Sequence, residues 1–160
     1  MRRVTTILSA VAVVLMAAGL AAQAKPSFAG VWTRDVQLGD GVLPEVDLTI
    51  TQGATAMTVE HRGGGQAPAP GKLTYKLDGS VSRNMMAGRG GGAPTEQVSK
   101  TMWAGNTLVV TTTTGTGEEK RTFSMDGDTL VVATSAPTRN GGAPNITRVT
   151  YKKYERGHGG

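Results

Sequence analysis

The sequence contains no cysteine. No disulfide can brace the fold, no thiolate can act as nucleophile or metal ligand, and no lipoprotein-type anchor can be attached. Histidine is almost as scarce: only His61 and His158 occur in 160 residues, and His158 lies in a glycine-rich tail. A His/Cys metal centre therefore has no ligand set. Met85-Met86 is the one soft pair, and it reads as exposed loop. Asp126-Gly127-Asp128 lacks the further oxygen ligands of a calcium loop and reads as a turn. Aromatic residues number seven, two Phe, three Tyr and two Trp, so few large side chains are available to fill a core. The longest apolar run, residues 7–22, is short and alanine-rich for a membrane span. Beyond it no helical periodicity appears.

What is present begins with a leader. Arg2-Arg3, the apolar run and Ala22-Gln23-Ala24 form the three parts of a secretory signal peptide. Cleavage is expected after Ala24, through a Sec-type route. The domain division follows as residues 1–24 leader, 25–155 a single domain, and 156–160 a flexible tail. The mature chain has no transmembrane segment and is expected in the periplasm or outside the cell of a bacterium. Two of the formal charges behind the net +5 sit at Arg2 and Arg3. The remainder bears on solubility and gives no reason to expect nucleic acid as a partner.

The rest of the chain reads as short alternating runs separated by Gly, Pro and Asn, the pattern of a sandwich or barrel. In 45–52, Val46, Leu48 and Ile50 alternate with Asp47, Thr49 and Thr51. Met57, Val59 and His61 share a face beyond the turn at Gly53. Leu73, Tyr75 and Leu77 form another, then Asp78-Gly79 signals a hairpin, with Val81 and Arg83 on one face after it. Residues 97–103 form a strand whose inner face the pattern leaves open. Leu108 and Val110, then Arg121, Phe123 and Met125, then Leu130 and Val132 follow, and residues 145–154 end the series. The segment 105–110, Gly-Asn-Thr-Leu-Val-Val, recurs at 127–132 as Gly-Asp-Thr-Leu-Val-Val, which suggests successive hairpins of one meander. The fold class is thus all-β, a single antiparallel meander of eight to ten strands that curls into a barrel, because closure removes exposed edges. Three Gly/Ala/Pro-rich loops, 63–71, 85–96 and 136–144, are expected to be mobile.

Phe28-Ala29-Gly30-Val31-Trp32 resembles the opening of lipocalins and fatty-acid-binding proteins, the calycin superfamily. The resemblance implies a lipocalin-like barrel in which Gly30 and Trp32 plug one end. It also implies a basic residue from near the last strand packed on the indole ring, for which Arg148 is the candidate. Small exported bacterial proteins with a Phe-x-Gly-x-Trp start and Trp-x-Gly-Asn-x-Leu-Val hairpins are similar as well, and residues 103–109 look like one such hairpin. Two family features are missing. The connection 37–44 is too short for the two-helix lid of fatty-acid-binding proteins. The terminal Arg-x-Tyr clamp is absent too, since Arg148 and Tyr151 are three apart and face opposite sides of a strand.

Candidate ligand-binding residues are those that place polarity among core positions: His61, Tyr75, Arg83 and Arg121, with Phe123 beside them. An inward charge costs several kcal/mol unless it is paired, so such residues either meet a ligand or reach solvent at a strand end. Catalytic footing is slight. There is no nucleophile elbow and no P-loop lysine, and Glu118-Glu119 and Asp126/Asp128 lie near turns, where carboxylates are solvated. Arg62-Gly63-Gly64 and Arg89-Gly90-Gly91 look like RNA-binding segments, but in an exported chain they read as loops. The expected function is non-enzymatic binding of a small hydrophobic or anionic amphiphilic ligand by a monomer without cofactor or metal. The alternative is an envelope structural or interaction module with a filled barrel.

Overall fold

The computed structural model describes residues 24–35, 46–63, 71–86 and 92–154. The leader, the 37–44 connection, the tail and the middles of the 63–71 and 85–96 loops lie outside the described residues. Ten strands are present: β1 (Gly30–Arg34), β2 (Val46–Gln52), β3 (Ala56–Gly63), β4 (Lys72–Lys76), β5 (Ser82–Met86), β6 (Thr95–Ala104), β7 (Thr107–Thr114), β8 (Gly117–Asp126), β9 (Thr129–Ala136) and β10 (Asn145–Lys153). No helix occurs among the described residues. All neighbouring pairs are antiparallel, in the order β4-β3-β2-β1-β10-β9-β8-β7-β6-β5. The chain therefore meanders and closes on itself through β1 and β10, where Trp32 faces Lys153 and Arg34 faces Tyr151. Two backbone bonds, Asp35 N–H to the Thr150 carbonyl (3.0 Å) and Tyr154 N–H to the Val31 carbonyl (2.8 Å), extend that seam at either end.

The alternation of the sequence becomes the two faces of the sheet. Leu48, Ile50, Met57, Val59, Leu73, Tyr75, Leu108, Val110, Phe123, Leu130 and Val132 are all buried in one core cluster, with Leu77 packed at its margin. The repeated hairpins owe their likeness to glycine. Gly105 and Gly127 take the first central turn position with φ of +61° and +58°, the geometry of a type II′ turn, whose twist suits paired strands.

One end of the barrel is plugged by aromatic rings. Phe28 stacks on Trp103 at 5.9 Å and meets Phe123 at 6.1 Å between centroids. Trp32 is 2% exposed and its indole N–H donates to the Phe28 carbonyl at 2.9 Å. The segment before β1 is clasped by Gln52, whose side-chain oxygen accepts from Phe28 N–H (2.8 Å) while its amide donates to the Pro26 carbonyl (3.1 Å). Lys25 caps the plug, its ammonium 5.4 Å from the Trp103 ring centre.

Among the described residues, the sheet is broken between β4 and β5. Asp78-Gly79 does turn, with Gly79 at φ +83°, but β4 and β5 are not ladder partners, contrary to the hairpin expected there. Side chains take the place of the ladder. Asn84 accepts from Thr74 N–H (2.7 Å) and donates to the Thr74 carbonyl (3.0 Å). Ser82 accepts from Lys76 N–H (2.8 Å), and Thr101 donates to the Lys76 carbonyl. Backbone groups at a buried edge must find partners, and short polar side chains supply them here.

Candidate functional site

The inner face changes character toward the end opposite the aromatic plug, where β3 leaves the barrel and β7 turns into β8. Four strands bring polar side chains inward there. β5 contributes Asn84, β6 contributes Gln97 and Ser99, β7 contributes Thr112, and β8 contributes Glu119 and Arg121. The register sets them side by side: Asn84 faces Gln97, Ser99 faces Thr112, and Thr112 faces Glu119. Ser99 and Thr112 share a buried hydroxyl hydrogen bond of 2.9 Å. The Gln97 side-chain oxygen is buried and has no hydrogen-bond partner, which costs about 1–3 kcal/mol for an unsatisfied acceptor.

Arg121 is the centre of this region. Its guanidinium pairs with Glu119, two residues back on the same face, at 3.2 Å, and each side chain is about a quarter exposed. Its charge also acts on the Tyr75 phenol. Tyr75 belongs to β4 and Arg121 to β8, six strands apart in the sheet, so this influence is felt across the interior rather than along the wall. Burial raises the Tyr75 phenol above its ordinary value, against the opposing pull of the guanidinium. His61 stands half-buried on β3 and is held below its ordinary value by burial first and by the positive charge of Arg121 second. At neutral pH the cluster thus comprises one cation, one anion, a neutral imidazole and a neutral phenol.

His61, Tyr75 and Arg121 are brought together by the barrel. Phe123 is not part of that group: it sits one inner position further along β8 and belongs to the aromatic plug. Two expected placements are corrected. Arg83 points outward, its side chain 62% exposed and paired with Glu96 at 2.6 Å. Ser82 and Asn84 occupy the inner positions of β5 because the gap beside β4 needs their hydrogen bonds. Arg148 does not pack on Trp32. It is exposed on the outer face of β10 opposite Ala133, whereas the residue facing Trp32 is Lys153. Lys153 Cε and Trp32 Nε1 come within 3.4 and 3.3 Å of where a side chain at Gly30 would begin, so glycine is what lets both lie there.

Glu119 was expected to be solvated near a turn, and it faces inward instead. Its parity with Arg121 and Phe123 carries that information. Gln97, Ser99 and Thr112 left no comparable signal, because β6 is polar on both faces over its first half.

No family model and no curated protein sequence matches this chain. Solved structures do. The fluorescent protein UnaG in its wild-type form is 18% identical, covers 79% of this chain and 97% of its own, and superposes with a TM-score of 0.58. A point mutant of UnaG is 17% identical, covers 81% and 97%, and has the same TM-score. With ten antiparallel strands in one meander among the described residues, the chain shares the β-barrel fold of UnaG.

Proposed function

We propose that this protein is an exported carrier or receptor that binds a small apolar or amphipathic molecule inside its barrel, without transforming it. The observation that carries this reading is the inward-facing Arg121–Glu119 pair, at 3.2 Å and only about a quarter exposed, beside the buried Ser99–Thr112 hydroxyl pair. Buried, mutually perturbing polar groups are costly to the fold and gather where a ligand is received. Ten strands enclose more room than the eight that suffice for one small ligand. Buried Leu48 faces His61, and buried Val59 and Leu73 face each other on the adjoining strands, which suits a molecule with an apolar body and a polar part. The leader and the calycin-like fold are consistent with a binding protein of the bacterial envelope.

The test is a mass spectrum of the protein purified from a bacterial periplasm, recorded under native and then denaturing conditions. A non-covalent adduct that disappears on denaturation supports the carrier, and its mass narrows the ligand. A clean apo mass, with no uptake from a panel of lipids and amphiphiles, moves the function to the outer face and the loops, as an interaction module.

A further inference from the structure

We propose, building on the binding reading above, that the ligand is uncharged and presents N–H or O–H donors to the β5–β8 side of the interior, and that carboxylates are disfavoured. Two independent features lead there. The first is the balance of charge. Arg121 would be the natural seat for an anionic head group, but Glu119 already holds it at 3.2 Å. A carboxylate brought to Arg121 would face the Glu119 carboxylate in a partly desolvated site, where like charges repel strongly. The second is the orphaned acceptor. The Gln97 side-chain oxygen is buried without a partner, while its neighbours are already engaged: Asn84 with the Thr74 backbone and Ser99 with Thr112. Gln97 and the remaining lone pairs of Glu119 ask for a donor, which an amide, lactam, urea or alcohol supplies and a carboxylate does not.

Three probes with one acyl chain separate the possibilities: oleamide, methyl oleate and oleate, titrated calorimetrically into delipidated protein. Oleamide is expected to bind at least about tenfold more tightly than oleate, the scale of one satisfied against one unsatisfied buried acceptor. Gln97→Leu should weaken oleamide by about tenfold and leave methyl oleate unchanged. Glu119→Gln, which keeps shape and removes the counter-charge, should raise oleate affinity by about tenfold or more. Far-UV circular dichroism checks that each variant is folded. Oleate binding as tightly as oleamide, or a Glu119→Gln protein with an unchanged oleate-to-oleamide ratio, overturns the inference and leaves the carrier intact. Uptake of none of the three by any form, with a clean apo mass, overturns the carrier itself.

Discussion

The side-chain amide of Asn84 makes both hydrogen bonds to the backbone of Thr74, accepting from its N–H and donating to its carbonyl. One side chain thereby replaces a ladder pair between β4 and β5, which are not ladder partners. Asn84→Asp keeps the acceptor and loses the donor, so the Thr74 carbonyl is left unsatisfied beside a carboxylate. That variant should lose about 1–3 kcal/mol, read as a lower urea midpoint, whereas the same exchange at exposed Asn106 should be nearly neutral. Equal midpoints would show that the seam contributes nothing.

Gly30→Ala tests the plug. The added methyl would begin 3.3 Å from Trp32 Nε1 and 3.4 Å from Lys153 Cε, at a backbone φ of +155°. The indole must move away from the Phe28 carbonyl that it now bonds. The expected cost is about 1–3 kcal/mol for overpacking, with a red shift of tryptophan emission as the ring meets water.

Stability should depend on pH through His61. Its folded-state value lies below the ordinary 6.5 because of burial and Arg121, so below that pH the unfolded chain binds the extra proton more readily. Stability is thus complete above about pH 6.5 and declines as pH falls through the folded value. His61→Gln should flatten that acid limb in urea titrations at a series of pH values. Tyr75 acts at the other extreme: its value is raised, so above about pH 10 the unfolded chain loses its proton first and stability falls.

Arg83 and Arg121 should part company. Arg83 is exposed and its ion pair with Glu96 is a surface pair, so Arg83→Ala should cost no more than about 1 kcal/mol and leave ligand uptake unchanged. Arg121→Ala strands the Glu119 carboxylate and should abolish the adduct seen in native mass spectra. Loss of uptake with Arg83→Ala would place the site on the outer face.

Much of this architecture is legible in the residues themselves. β2, β4 and β8 announce their inner faces by strict alternation, and the 105–110 and 127–132 echo marks two turns with the same glycine geometry. His61, Tyr75 and Arg121 are readable as inward by parity alone. That Arg121 acts on both His61 and Tyr75 is not, because β3, β4 and β8 approach one another through a curvature that no local pattern encodes. Parity failed at Arg83 because Val81 precedes β5, and the inner positions there are set by hydrogen-bonding demand at the gap rather than by hydrophobicity. Nothing local in the sequence sets Lys153 rather than Arg148 opposite Trp32, because the register of β10 against β1 depends on closure, a long-range event.

That closure has a consequence for the order of the chain. The true edges of the sheet are β4 and β5, joined by the Asp78–Gly79 turn, while the first and last strands are ladder neighbours deep within it. Cutting at that turn and linking the natural ends would produce a circular permutant running from β5 through β10 to β1 and on to β4, each strand beside the next. The longest-range pairing in the molecule would become a local one, and the permutant should fold faster than the natural chain while keeping the same barrel.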